Sequence, residues 1–435
     1  YKGSGVGMDV LPALLGVGYI CGARVSSYIF AGGVIGWFVL MPLIALFGAD
    51  LTIFPASVPV SELGASGIWS NYIRYIGAGA VAAGGIISLV KNLPLIAKTF
   101  RQALKSYGSK GNGDNSRLNK DIPMNIVILT IGIMAIIMWL VPAVPVNLLG
   151  AIIIVIFGFF FATVSSRMVG IVGSSNNPVS GMAIATLLIT TMILKATGTI
   201  GMPGMVASIA IGSVICIIAA IAGDTSQDLK TGYLVGATPW KQQVGEIIGV
   251  AASAIAIGGV LYLLNAAWSY GSSAIPAPQA TLMKMVVEGV MGGNLPWVLV
   301  FAGVGIAVVV EILGIPVLPF AVGLYLPIYL STPMIVGGLI RLYFDKKKGE
   351  SEEEKKRKVE NGVLYSSGLI AGEGLVGILL AVCAVIPFKG ETFADAFNLS
   401  AIFGFSLGNI GGLVFFALLA VTLILFIRGK KKKEN

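Results

Sequence analysis

Histidine is absent from this 435-residue chain. That excludes HExxH zinc chemistry, Ser-His-Asp triads and histidine proton relays. The only cysteines, Cys21, Cys216 and Cys383, lie far apart in apolar surroundings and form no CxxC pair. They read as small core residues, not as a disulfide framework. No GxxxxGK[ST] loop occurs, so direct ATP drive by a P-loop in this chain is excluded. Charge is scarce as well: 11% of the residues are Asp, Glu, Lys or Arg, against about a quarter in soluble domains. The chain opens at Tyr1-Lys2-Gly3 without an initiator Met or a signal-peptide pattern, and further N-terminal residues are expected before it.

What is present is apolar. Hydrophobic residues make up 56% of the chain, and the mean hydropathy is +0.91. The composition implies an integral membrane protein surrounded by lipid. The 58 glycines suit helices that pack closely in lipid and that break at binding sites. The net charge of +9 is collected in three short segments, which fits membrane topology and not nucleic-acid binding.

A span needs about 20 apolar residues, fewer if the helix is broken. Candidate spans are 9–22, 27–48, 71–98, 123–142, 147–164, 178–195, 205–222, 243–265, 296–313, 317–330, 332–343, 361–387 and 410–428. The expected fold is all-α and polytopic, with about thirteen helical segments. Segments 9–22, 317–330 and 332–343 are short enough to predict broken or tilted helices. The organisation follows: 1–100 ends a first membrane repeat, 101–122 is a basic linker, and 123–344 holds central spans. A charged loop at 345–362 precedes the spans of 363–428 and a basic tail at 429–435. The Lys- and Arg-rich segments are predicted to be solvated and cytoplasmic, the C-terminus included. Segment 49–70 has Asp50 and Glu62 but no Lys or Arg, which places it outside. The same count makes 223–246, GDTSQDLKTGYLVGATPWKQQVGE, a cytoplasmic loop, with a local ion pair between Asp228 and Lys230 across its turn.

A weak internal repeat is visible. VLPALLG (10–16) matches VLPFAVG (317–323), and each copy is followed by a glycine pair, Gly32-Gly33 and Gly337-Gly338. Each then leads through a polar loop into a Gly-rich segment, YIGAGAVAAGGIISL (75–89) or YSSGLIAGEGLVGIL (365–379). The loop after the first copy lacks basic residues and the loop after the second is Lys-rich, so the copies are expected to be inverted. Inverted repeats are characteristic of secondary transporters.

Further stretches go beyond generic membrane sequence. NPVSGM, SQDLKTGYLVGATPWKQQ, PAPQATLM, AVGLYLP and SGLIAGEGLVG occur in that order, after YIRYIGAGAVAAGGI at 72–86. Together they resemble the oligopeptide transporter (OPT) superfamily over essentially the whole chain, in particular its prokaryotic branch related to the yellow-stripe-like metal-chelate carriers. Members are usually longer at the N-terminus. The resemblance implies a cation-coupled importer of small peptides or metal chelates in the cell membrane, without a resident cofactor. The residues alone imply a secondary transporter that does not bind nucleic acid and leave homo-oligomerisation open. A channel lacks a visible selectivity motif, and an intramembrane enzyme lacks a catalytic constellation.

Asn176, Asn177 and Ser180 surround Pro178 at a helix start, and Gln279 follows Pro278. Backbone groups freed beside such prolines can face a cavity, so both stretches are expected to line the substrate path. An Asn/Ser helix cap is the alternative for the first. Arg74 and Tyr325 are further candidate substrate contacts. Glu373, in mid-segment without a basic neighbour, is the expected coupling group, exchanging a proton as access alternates. A structural carboxyl bonded to backbone is its alternative. Asp224, Gln227, Asp228 and Lys230 are candidates for a gate or latch.

Overall fold

The structure, a computed structural model, describes all residues except 1–2, 108–116, 173–178, 273–274, 276, 293–294, 348, 350, 389–390, 397–407 and 429–435. Helices α1 (Pro12–Val34) and α2 (Met41–Phe47) join through a π-helical stretch at Ile35–Leu40. Helix α3 (Gly64–Ile68) runs through a second, Trp69–Ile73, into α4 (Arg74–Tyr107). There follow α5 (Met124–Leu140), α6 (Leu148–Val172), α7 (Val179–Ala196), α8 (Gly201–Val235), α9 (Pro239–Trp268) and α10 (Pro278–Gly292). Then come α11 (Trp297–Ile312), α12 (Val317–Tyr325), α13 (Ile328–Asp345), α14 (Glu352–Val385), α15 (Phe393–Ala396) and α16 (Gly408–Arg428). The strands among the described residues are one short antiparallel pair, Pro387–Phe388 with Glu391–Thr392. The fold is that of an all-α polytopic membrane protein, and among the described residues six helices are long and apolar enough to cross a membrane.

Each predicted apolar segment coincides with a helix, but several boundaries differ. Segments 9–22 and 27–48 are two helical pieces that meet at a break, as their separate prediction had it. The break is Gly22, at φ 80° and ψ 169°, a conformation essentially reserved for glycine. Ser26 donates a hydrogen bond to the Gly18 carbonyl across the break (3.1 Å). Arg24 therefore does not sit in a loop between spans. It lies two residues past the break, with its Nε donating to the Tyr28 hydroxyl (3.0 Å). The second break comes at Leu326-Pro327, not after residue 330. Pro327 has no N–H to donate and holds Leu326 extended (ψ 148°). Segment 345–362 is not a loop throughout, because α14 begins at Glu352. Ser351 accepts a hydrogen bond from the Glu354 N–H (3.2 Å), three glutamates fill the first turn, and Lys355 and Lys358 reach Glu352 and Glu354. Such caps and i,i+3/i,i+4 pairs let a charged segment form a helix without an apolar face.

The chain forms two compact units. The first comprises Tyr1–Val81, Gly259–Pro278 and Pro296–Asn435. In it α1 meets α12 and α13 at backbone contact distance. A Cβ added at Gly32 would collide with the Phe320 carbonyl and one at Gly323 with that of Ile29. At the other end of the seam, Gly18 meets Met334 and Gly337 meets Leu15 in the same way. The glycine pair of each repeat copy thus packs on the VLP segment of the other. The Gly-rich helices repeat the exchange: Gly77 of α4 packs on Tyr325, and Gly362 of α14 on Tyr19.

The second unit comprises Ala82–Gly258 and Gln279–Leu295. Its core is an apolar cluster that includes Phe161, Met182, Leu194, Ile211 and Val287. Two hydroxyls tie α6 to α8, with Ser165 donating to the Ala219 carbonyl and Ser226 to that of Ser166. Helix α10 was not among the predicted spans. It is a short helix whose exposed Lys284 and Glu288 pair at 3.5 Å, and those charges interrupt its apolar pattern.

Candidate functional site

The break between α12 and α13 organises the first unit's polar groups. On its N-terminal side Tyr325 ends α12 and is 2% exposed, with Gly77 against its backbone. Arg74 lies at the start of α4, in electrostatic contact with Tyr325. Its guanidinium sits over the rings of Trp69 and Tyr75, at 5.8 and 6.0 Å from their centroids. The Arg74 Nε is buried and has no hydrogen-bond acceptor among the described residues. No carboxylate pairs with Arg74 among the described residues. The arrangement can hold an anionic group: aromatic faces orient the guanidinium, and its donors remain to be satisfied.

On the C-terminal side of the break, Tyr329 lies in the first turn of α13. The extended chain that precedes α1 runs beside it. The Asp9 N–H donates to the Tyr329 carbonyl (2.9 Å), and the Thr332 hydroxyl donates to the Gly7 carbonyl (3.1 Å). Trp37 packs edge-on to Tyr329 at 6.2 Å. Asp9 and Tyr329, with Met8, Asn409 and Gly412, line a cavity of about 500 Å³. Asp9 and Tyr329 escaped the sequence reading. The available signal was that Asp9 is the only carboxylate before Asp50 and directly precedes the VLP motif.

Glu373 occupies a third position. Gly362, Ser366 and Ile370 of α14 lie against Tyr19 and Gly16 of α1, and this seam carries Glu373 to the first turn of α1. There Glu373 Oε2 accepts a hydrogen bond from the Ala13 N–H (2.6 Å). The residue before this helix, Leu11, offers no side-chain cap, so Glu373 supplies one from another helix. A carboxylate at this end is favoured by the positive pole of the helix dipole. The bond is to backbone, as in the structural alternative considered for this residue, but it joins two helices.

The remaining candidates belong to the second unit. Asp224, Gln227, Asp228 and Lys230 are exposed and lie on α8, not in a loop. Nothing stops that helix before Gly236, which adopts the left-handed conformation (φ 78°) just ahead of Pro239. Asp228 and Lys230 form no ion pair: two residues apart on a helix, their side chains point to different faces. The turn is held differently. Gln242 Nε2 donates to the Asp228 carbonyl (2.7 Å) and fills the space left by Gly232. Arg117 donates to the Gly236 carbonyl (2.6 Å), and the Trp240 N–H donates to that of Lys120 (3.1 Å). Gln279 is exposed in the first turn of α10. Asn176 and Asn177 lie outside the described residues, as does the side chain of Ser180, the second residue of α7. Of the residues proposed from sequence, Arg74 and Tyr325 are brought together, and Glu373 is held at the α1 N-terminus. No group of three or more His, Cys, Asp or Glu side chains able to hold a metal occurs among the described residues.

Comparison with known proteins agrees with this architecture. The family profile described as OPT oligopeptide transporter protein matches residues 1–384. A Haemophilus influenzae protein, provisionally named an oligopeptide transporter, is 28% identical over 439 residues, covering 89% of this chain and 68% of its own length. A protein of Oryza sativa subsp. japonica, provisionally named metal-nicotianamine transporter YSL11, is 25% identical over 418 residues, 87% of this chain and 57% of its own length. A Saccharomyces cerevisiae protein, provisionally named oligopeptide transporter YGL114W, is 25% identical over 439 residues, 86% of this chain and 59% of its own. The chain thus spans less than two thirds of its rice and yeast relatives.

Proposed function

The chain belongs to the OPT oligopeptide transporter family, and on that premise we propose that it is a secondary carrier importing small oligopeptides across the cell membrane by alternating access. The observation that carries this reading is Arg74: a guanidinium beside a broken helix, its Nε buried and unsatisfied, with no carboxylate partner among the described residues. An ionised group inside a membrane fold marks a substrate or ion path, and a peptide carboxylate completes this one. Tyr325 fixes the wall against which Arg74 is held. Metal chelates are the second reading, favoured by the rice relative's name. They too present carboxylates to Arg74.

The coupling ion is a proton and Glu373 carries it. While ionised, Glu373 binds the α1 N-terminus through Ala13. A proton taken from the outside removes the charge that this helix end favours, loosening α14 from α1. Returning the proton to the cytoplasm restores the latch. The crosswise packing of the two repeat copies supports inverted topology, with 49–70 outside and the C-terminus in the cytoplasm.

Uptake into proteoliposomes tests the proposal. Accumulation of labelled di- and tripeptides above the equilibrium level, driven by an imposed pH gradient and saturable, is the expected result. Preference for a metal chelate in the same vesicles selects the second reading. Non-saturable flux that never exceeds equilibrium rejects a carrier.

A further inference from the structure

Asp9 and Tyr329 come from distant parts of the chain, and backbone holds them together. The Asp9 N–H donates to the Tyr329 carbonyl (2.9 Å), and the Thr332 hydroxyl donates to the Gly7 carbonyl (3.1 Å). The Tyr329 phenol is in electrostatic contact with Asp9, and Trp37 steadies its ring edge-on. Both residues line the cavity of about 500 Å³, where Asn409 adds a third polar side chain and Met8, Val10 and Leu413 supply apolar wall. The Asp9 carboxylate makes no hydrogen bond or ion pair among the described residues. The helix that follows gives it no relief, because Glu373 already caps the first turn of α1 at Ala13. A cation beside it would favour its charged form.

The wall decides which cation. Hard metal ions take about six or more oxygen ligands. One carboxylate, one phenol and one amide fall short of that, and the Gly7 and Tyr329 carbonyls are already engaged. Small-molecule sites have volumes of about 300–1,000 Å³ and combine apolar walls with a few placed polar groups, which describes this cavity. An organic ammonium matches it. Its three N–H donors suit the Asp9 carboxylate, the Tyr329 hydroxyl oxygen and the Asn409 side-chain carbonyl, and its carbon chain suits Met8, Val10 and Leu413. We infer that this cavity binds a primary ammonium group carried on a short apolar chain. The amino end of a peptide substrate is one source, and in naming it the inference rests on the peptide reading above. A lipid ethanolamine headgroup carries the same chemistry.

The test uses the full chain in nanodiscs of phosphatidylcholine, which has no primary amine. In a variant without Cys21, Cys216 and Cys383, Leu413→Cys puts a thiol on the cavity wall, and its rate of labelling reports occupancy. Propylammonium and dialanine are expected to slow labelling, and sodium and N-acetyl-dialanine at the same concentration to leave it unchanged. Adding Asp9→Asn should raise the propylammonium concentration for half-protection about 10- to 100-fold, the size of one lost charge-assisted contact. No protection by propylammonium, equal protection by sodium, or protection that survives Asp9→Asn undiminished overturns the inference. Should Asp9→Asn fail to fold, Tyr329→Phe takes its place with an expected loss of about 3- to 10-fold, and no loss overturns the inference. Equal protection by dialanine and its acetylated form keeps the peptide reading and overturns the amine site. Protection by propylammonium but not by dialanine keeps the amine site and removes the peptide as its occupant. Slower labelling in phosphatidylethanolamine nanodiscs without added amine then assigns the site to the headgroup.

Discussion

Replacing Glu373 by Gln keeps the shape of the side chain and removes only its charge. Its carboxylate takes the Ala13 N–H at 2.6 Å, at a helix end with no other side-chain cap. A hydrogen bond to a charged group contributes about 1.5–3 kcal/mol net, and a neutral one about 0.5–1.5. The difference is about 1–1.5 kcal/mol, and the helix dipole adds about 0.3–1. Together these give about 1.3–2.5 kcal/mol, or a factor of about 10–70 in the population of the latched state. Hydrogen exchange should read this directly: amides in the first turn of α1 are expected to exchange about 10–70 times faster in Glu373→Gln. Uptake completes the test. Glu373→Gln should bind substrate and exchange it passively, yet fail to accumulate it under an imposed pH gradient. Full accumulation by the variant would refute Glu373 as the coupling group and leave it a structural cap.

Gly323→Ala places a methyl group against the Ile29 carbonyl and should cost about 1–3 kcal/mol, seen as a lower unfolding temperature in detergent. No loss would mean that the α1–α12 seam is looser than described. Ser351→Ala removes the α14 cap and should destabilise its first turn by about 1 kcal/mol, read as faster exchange at Glu354 and Lys355 with the transmembrane part of α14 unaffected. In a variant without Cys21, Cys216 and Cys383, a single cysteine at Lys356 should react with an impermeant thiol reagent only from the cytoplasmic side. Labelling from outside would reverse the topology.

The spans were legible because apolar runs of this length have few alternatives. Their breaks were less so. The predicted segment 9–22 ended at the Gly22 break itself, but the break before Pro327, an ordinary helix-breaking signal, was placed too late, after residue 330. The polar stretch at 223–246 was misread because polarity was equated with a loop. Helices continue beyond lipid when no breaker intervenes, and the breakers here, Gly236 and Pro239, come late. Arg74 and Tyr325 could be picked out by residue type and motif, and the fold then joined them. Asp9 could not, because its significance depends on Tyr329, 320 residues away along the chain, and on a cavity wall that only tertiary packing creates. Glu373 was legible as an exceptional charge but not as the cap of a distant helix.

The glycine seam between α1 and the α12–α13 pair has a mechanical consequence. Two helices meshed by side chains behave like gears: to shift, the teeth must withdraw, and every rotamer that is freed and refixed contributes a barrier of up to about 1–2 kcal/mol. At Gly18, Gly32, Gly323 and Gly337 there are no teeth. Backbone rides on backbone, with no side-chain torsion to reset, so a displacement along the seam meets little friction until bulkier residues at its ends engage. Those stops are Tyr19 and Tyr325, both fully buried against glycines of the flanking helices. The seam is a plain bearing with an aromatic stop at each end.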